Sequence, residues 1–341
     1  FFKLVEIYNC HNILSEKNGI KTFHLAEGPG GFIEATAFLR ENTNDLYYGM
    51  TLLEKNTNIP NWNKADHIMK KYNNIIIEKG ADGKGDLYNH KNLLYCQEMY
   101  KNSIDIITAD GGFDFSLDYD NQEKSAFRLI FTQICYALTM QKYGGHFILK
   151  IFDIFEKSSI ENLFLLSCFY DKVIISKPCT SRSANSEKYI ICKNFKYKNT
   201  QHIVQKLVYV LKLFETLDFN KYTIFSILNI PIHAYYLTNL KEINSILGHQ
   251  QMDNILNTIK LITHKDRKGD KIQHLKNNNI QKCINWCINN NQPYNKLDIT
   301  TNIFTSTKNE IIEKNETDER SDNDDKNDTA MNLFYSDFYD D

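Results

Sequence analysis

The chain lacks any apolar run that approaches the roughly 18 residues needed to cross a bilayer, so a membrane-spanning helix is not expected. It also lacks a cysteine framework. Six of its 8 cysteines stand singly (Cys10, Cys96, Cys135, Cys168, Cys179, Cys192), with one looser pair, Cys283 and Cys287. That usage reads as reduced and intracellular, not as a small secreted domain. No basic-then-apolar leader is visible, although the chain opens at Phe1 and not at a Met, so its true start need not be in view. There is no internal repeat. A metal site is not expected either: His264, His274, Cys283 and Cys287 have spacings that fit no familiar zinc module, and the two cysteines sit in a helix-like stretch around Trp286.

What is present is material for a sizeable core. The 341 residues are 42% hydrophobic and 13% aromatic, with 24% charged, which argues against global disorder and suggests about two domains. The net charge of −2 hides an asymmetry: residues 309–341 carry 12 acidic against 3 basic side chains, leaving 1–308 with a net of +7. A modestly basic body suits a polyanionic partner.

Residues 1–200 alternate short apolar runs with helical stretches. Strands are predicted at 22–26, 46–50, 74–77, 105–109, 146–151, 172–176 and 188–192, and helices at 2–14, 31–40, 91–100, 122–142 and 158–168. Strand alternating with helix predicts an α/β fold with a mainly parallel sheet. Only a turn-rich stretch (177–187) joins the last two strands, which suits antiparallel pairing at an edge. After residue 200 the pattern becomes purely helical. Ile203, Leu207, Val210, Leu211 and Phe214 share one helical face, as do Ile243, Ile246, Leu247, Ile255, Ile259 and Ile262. The expected organisation is a domain over 1–200, a helical appendage over 201–305, and an acidic, disordered tail over 306–341. The tail's aromatic end (Phe334, Tyr335, Phe338, Tyr339) reads either as unstructured or as a docking motif.

Four motifs carry chemistry. The first runs from the strand at 22–26 through Glu27-Gly28-Pro29-Gly30-Gly31-Phe32 into a helix. Glycines let the backbone turn tightly and approach a ligand, and a helix N-terminus favours negative charge. The spacing is neither GxGxxG nor a phosphate-binding Gly-Lys-Ser/Thr loop, and a tight turn without a ligand is the alternative reading. The second, Thr108-Ala109-Asp110-Gly111-Gly112-Phe113, ends a strand with an acid and two glycines. In a doubly wound sheet both turns face the cleft beyond the strands' carboxyl ends. The third, Gly144-Gly145-His146-Phe147-Ile148-Leu149-Lys150, closes an apolar strand with a lysine. A buried ammonium there needs a partner or a shifted pKa. The fourth is the polar loop Ser181-Arg182-Ser183-Ala184-Asn185-Ser186-Glu187 before the last strand. Each alone has a structural reading; their order is far more specific.

Together with Phe2-Lys3-Leu4-Val5-Glu6-Ile7, these stretches resemble FtsJ-type S-adenosylmethionine-dependent RNA 2′-O-methyltransferases over about residues 1–198. The Ala-Asp-Gly-Gly-Phe and Lys-Pro-x-Thr-Ser-Arg-x-Ala-Asn-Ser-Glu strings resemble the mRNA cap branch, which includes enzymes of large DNA viruses. The resemblance implies a Rossmann-like methyltransferase sheet, mostly parallel with one antiparallel edge strand and flanked by helices. It also implies a Lys-Asp-Lys-Glu tetrad, matched by Lys3, Asp110, Lys150 and Glu187.

The implied reaction is methyl transfer from S-adenosyl-L-methionine to a ribose 2′-hydroxyl, most simply on the first transcribed nucleotides of capped mRNA. A ribose hydroxyl is a poor nucleophile, so a positioned base is expected. Lys150 is assigned that role, with Lys3 lowering its pKa and steering the hydroxyl or a phosphate, and Asp110 and Glu187 orienting the two lysines. The methyl donor carries its own leaving group, so the chemistry needs no metal. For the cofactor the resemblance implies Glu27, Gly28, Pro29, Gly30, Gly31, Phe32, Asp86 and Asp110, with Glu27 accepting from the ammonium and Asp86 near the adenine; Gly49-Met50-Thr51-Leu52 departs from the family in offering no acid for the ribose hydroxyls, and Thr51, Leu52 or backbone groups are expected to line that part. His24 stands where many ribosomal relatives carry Asp.

Arg182, Ser183 and Asn185 are expected to hold phosphate or ribose. Trp62, Tyr47, Tyr48 and Tyr119 are candidates for stacking on a cap base, with the 52–72 and 113–121 loops as groove rims. The appendage and tail are candidate docking regions for capping or transcription proteins, in the nucleus or the cytoplasm. Two other functions fit the same residues: methylation of ribosomal or other structured RNA, and an inactive RNA-binding subunit of a capping or polymerase complex.

Overall fold

In a computed structural model of the chain, the described residues are 1–14, 16–53, 62, 65–112, 121–219, 221–263 and 269–294. The expected acidic tail, residues 113–120 of one rim loop (Phe113 and Tyr119 among them) and residues 54–61, 63 and 64 of the other lie outside them. Seven strands form one sheet: β1 (Lys21–Leu25), β2 (Leu46–Met50), β3 (Ile75–Ile77), β4 (Ile104–Ala109), β5 (Gln141–Ile151), β6 (Tyr170–Ser176) and β7 (Lys188–Phe195). Their order is β3-β2-β1-β4-β5-β7-β6. The neighbours from β3 to β5 pair parallel, and β7 runs antiparallel to both β5 and β6.

The central strands are apolar because both of their faces are covered. Phe23, Leu25, Ile107, Ala109, Phe147, Ile190 and Cys192 are wholly buried; fully burying a side chain such as Phe or Leu contributes roughly 1.5–3 kcal/mol. The helices on the sheet are α1 (Phe2–His11), α2 (Gly31–Arg40), α3 (Asp66–Lys71), α4 (His90–Tyr100), α5 (Gln122–Met140) and α6 (Lys157–Phe169). From Phe131 to Met140 every residue of α5 is buried.

Two helix ends differ from the periodicity. α1 stops at His11 and not at residue 14, because Asn12 turns left-handed at φ 48° and its N–H bonds back into the last turn. α5 stops at Met140, and Gln141 and Lys142 open β5 instead. The buried Gln141 amide explains this: its Nε2 donates to the Ile104 carbonyl at 2.9 Å and its Oε1 accepts from Tyr170 OH at 3.0 Å, which ties it to the sheet.

Beyond residue 200 the chain continues as α7 (Gln201–Thr216), α8 (Ala234–Thr263) and α9 (Gly269–Asn289). Leu207, Leu211 and Phe214 of α7 join the main core, with the Phe214 ring 5.5 Å from Phe131. Glu215 accepts from the N–H and Nδ1 of His90 on α4. α7 is therefore built into the body of the sheet domain, and the compact unit runs from Phe1 to His264. α9 belongs to a second unit starting at Lys265. Cys283 and Cys287 lie one turn apart on it, and among the described residues no three metal-ligating side chains converge. No helix among the described residues is long and apolar enough to cross a membrane.

Candidate active site

Lys150 is the penultimate residue of β5, and Asp110 directly follows the neighbouring strand β4. Its Nζ donates to the Asp110 carbonyl at 2.7 Å and lies 3.3 Å from Asp110 Oδ1. Gly112 packs against the same ammonium: a Cβ there would stand 3.1 Å from Nζ. Gly111 is glycine for a similar reason, since a Cβ would run into Gln133 of α5 and Ala26 beyond β1. The Asp-Gly-Gly string thus lets a backbone turn fit between a helix and two strand ends.

The other half of the tetrad is the pair Lys3–Glu187, at 2.6 Å. Lys3 sits in the first turn of α1, and Glu187 immediately precedes β7. Ser181 Oγ donates to the same Glu187 oxygen at 2.7 Å. Burial pushes the Glu187 carboxyl up, but the hydrogen bonds from Lys3 and Ser181 and the charges of Lys3 and Lys150 outweigh it and hold the group below its ordinary value. The β5–β7 register pairs Ile151 with Lys188 and Lys150 with Tyr189, so Glu187, one residue before β7, lies at the same edge of the sheet as Lys150, and the charges of both lysines act on its carboxylate.

The Gly-rich turn lies at the same end of the sheet. Ala26, just past β1, adopts φ 53°, a left-handed conformation rare for residues with a Cβ, and Gly30 follows at φ 99° before α2 opens. The Gly28–Pro29 bond is cis. Glu27 is 4% exposed and anchors the turn: its Oε1 accepts from Thr108 Oγ1 at 2.6 Å and its Oε2 from the Ile33 N–H at 3.1 Å. Buried His24 completes this network, its two ring nitrogens 2.8 Å from the hydroxyls of Thr22 and Thr108. Glu27 is thus a structural anchor first, with lone pairs left over for one further donor. Phe32 is buried beside Tyr189, ring centroids 5.9 Å apart.

The chain just before Asp86 returns to Thr51, just past β2. Gly85, at φ 67°, presses so closely on the Thr51 carbonyl that no Cβ fits, and the Leu53 N–H donates to the Lys84 carbonyl. Asp86 accepts from the Tyr88 N–H, and burial raises its pKa. A glycine cradle at the start of α2 and a half-buried carboxylate beyond β2 fit a cofactor with an amino-acid end and a nucleoside end.

The loop before β7 divides in two. Arg182 and Ser183 are exposed at its tip. Asn185 is engaged internally: its side-chain and main-chain oxygens both accept from Lys177 Nζ, at 2.6 and 2.8 Å, as does the Glu187 carbonyl at 2.7 Å. Burial, with the charges of Lys188 and Lys3, lowers Lys177 to about 8 despite the nearby Glu187. The stacking candidates fare differently from expectation. Trp62, Tyr47 and Tyr48 are all core residues, Trp62 packing with Ile33 and Tyr47, and Tyr48 stacking on Phe23.

Sequence reasoning missed Tyr189, Ser181, Thr108 and Lys177. Of these Tyr189 is the most telling. It pairs with Lys150 across the β5–β7 ladder, and its hydroxyl donates to Asp110 Oδ1 at 2.8 Å. Its place two residues after Glu187 was a usable signal, since side chains alternate along a strand.

A family model described as FtsJ-like methyltransferase matches residues 1–195. Cap-specific mRNA (nucleoside-2′-O-)-methyltransferase 2 of Danio rerio is 33% identical over 232 residues, covering 60% of this chain and 29% of that protein. Its namesake in Drosophila melanogaster is 29% identical over 209 residues, covering 57% and 29%. Cap-specific mRNA (nucleoside-2′-O-)-methyltransferase 1 of Homo sapiens is 34% identical over 178 residues, covering 50% and 21%. The chain spans less than a third of the length of these curated relatives.

Proposed function

Because the chain belongs to the FtsJ-like methyltransferase family, we propose that it methylates a ribose 2′-hydroxyl of RNA, at the first transcribed nucleotides of capped mRNA. The observation that carries this reading is the meeting of Lys3–Glu187 and Lys150–Asp110 at one end of the sheet, beside the Gly28–Gly31 turn. Bound there, S-adenosylmethionine supplies an activated methyl group.

The chain's own groups do the rest. Lys150 serves as general base toward the hydroxyl, and Asp110, tied to Lys150 and Tyr189, fixes where that amine points. Lys3, held by Glu187, steers the hydroxyl or its neighbouring phosphate. Arg182 and Ser183 grip phosphate or ribose from the exposed loop tip, while Asn185 holds the loop's shape through Lys177. Glu27 and the turn it anchors seat the methionine end of the cofactor, and Thr51 and Asp86 seat the nucleoside end. Much of the acceleration would come from Lys3 and Lys150 holding the ribose oxygen in one orientation. The fit to capped RNA rests on the cap-specific relatives. It implies work in the nucleus or the cytoplasm, with capping or transcription proteins as partners of the helical and acidic C-terminal segments.

The test is a methyl-transfer assay with labelled donor on capped, uncapped and ribosomal RNA. Label in the ribose of the first nucleotides of capped RNA is the expected result. Transfer to ribosomal RNA alone, or to none of the three, overturns the reading.

A further inference from the structure

None of the roles above uses Glu6, yet its carboxylate is 7% exposed and bonded across to another part of the chain. Its Oε1 accepts from the Cys179 N–H at 2.6 Å, and its Oε2 accepts from the Thr180 N–H at 3.1 Å and the Thr180 hydroxyl at 2.9 Å. A buried carboxylate that accepts from several donors of one loop fixes that loop more firmly than neutral hydrogen bonds do.

The place of Glu6 gives this consequence. It lies one turn along α1 from Lys3, so the two side chains project from the same part of one rigid helix. Glu6 holds the loop at 179–180, and Lys3 holds Glu187 at the loop's far end. Between these clamps lie Ser181, which donates to Glu187, and the exposed Arg182 and Ser183. One helix turn therefore sets the distance between the loop tip and the tetrad.

Resting on the reading of this site as an RNA 2′-O-methyltransferase, we propose that Glu6 is a positioning residue that fixes the 179–187 loop to α1 and so sets the grip of Arg182 on the RNA relative to Lys3 and Glu187. Replacing it with Gln keeps the size of the side chain but leaves one good acceptor for the donors of that loop, and turns an NH₂ group toward a donor.

The experiment measures steady-state methyl transfer, cofactor affinity by calorimetry and thermal unfolding for the wild type, Glu6→Gln, Thr180→Val, Arg182→Ala and the double variant Glu6→Gln/Arg182→Ala. Thr180→Val removes one donor from a half-buried position and covers the case in which Glu6→Gln does not fold. The expected result for Glu6→Gln is a KM for RNA raised about 10-fold, the loss expected from weakening such a contact, with kcat and cofactor affinity within about 3-fold of wild type. Thr180→Val moves KM in the same direction by less. The double variant costs much less than the product of the two single effects, because a displaced loop has already lost the arginine's contact. Unchanged KM in folded variants, fully multiplicative effects, or an equal loss of cofactor affinity overturns the role of Glu6. A wild-type protein that transfers no methyl group to any RNA overturns the function reading instead, and the two failures are distinguishable.

Discussion

Lys150 and Tyr189 face each other across the β5–β7 ladder and both reach Asp110: the ammonium lies 3.3 Å from Oδ1, and the phenol donates to that same oxygen at 2.8 Å. Tyr189 is wholly buried, with its pKa pushed far above the ordinary range by burial and by Asp110, so it stays a donor at all working pH values. The carboxylate cannot swing away from Lys150 without breaking this part-buried hydrogen bond. Tyr189→Phe removes that restraint and nothing else. The expected outcome is a kcat lower by about 10-fold, as for losing one hydrogen bond to a charged group, with cofactor affinity unchanged. Steady-state kinetics and calorimetry check it.

Lys150→Ala removes the assigned base. Methyl transfer should fall by about 10² to 10⁴-fold, while the cofactor still binds, since the Gly28–Gly31 turn is anchored by Glu27 and Thr108 and not by Lys150. Turnover within a few-fold of wild type would remove the base assignment, and a matched loss of cofactor binding would make the lysine structural.

Glu187 ties stability to pH with a definite sign. Its folded-state pKa is depressed below the ordinary 4.5. A depressed carboxylate contributes stability that is fully present above its unfolded value and is lost as pH falls through the folded one. The wild type should lose stability below about pH 4.5 more steeply than Glu187→Gln does. Denaturant midpoints measured between neutral pH and the acid transition test this, and equal slopes would show that Lys3 and Ser181 do not favour the charged form.

A second carboxylate is purely architectural. Asp45 is wholly buried before β2 and accepts from Arg40 Nε at 2.7 Å, the Ile20 N–H at 2.9 Å and Tyr47 OH at 3.0 Å. Burial pushes its pKa up, and these bonds, Arg40's first, more than reverse the shift. Asp45→Ala leaves the largely buried Arg40 guanidinium without its counter-charge. Such breaks cost about 3–5 kcal/mol, to be read as a lowered denaturant midpoint.

The parts legible in the sequence were those written in one local segment. β1 is an apolar run closed by glycines, Lys150 breaks an apolar pattern at a strand end, and Glu187 ends a polar loop; each sits where it was expected. What stayed hidden depends on partners distant in the chain. Nothing near Asn185 announces that its Oδ1 accepts from Lys177, and nothing near Glu6 announces a loop more than 170 residues away. Gln141 reads as the tail of a helix until Tyr170 and the Ile104 carbonyl are beside it. Tyr47, Tyr48 and Trp62 look available for stacking because composition cannot distinguish an aromatic in a groove from one in the core.

Among the described residues β7 is the one strand that pairs antiparallel with both of its neighbours. A reversed strand begins where parallel neighbours finish, so Glu187, at its entrance, shares a rim with Asp110 and Lys150 at the exits of β4 and β5. Had the chain crossed over and come back in the common direction, the same acid would lie at the opposite rim, a full strand length from its lysine. The hairpin from β6 therefore delivers an acid to the candidate site that the repeating strand–helix–strand plan alone leaves out of reach.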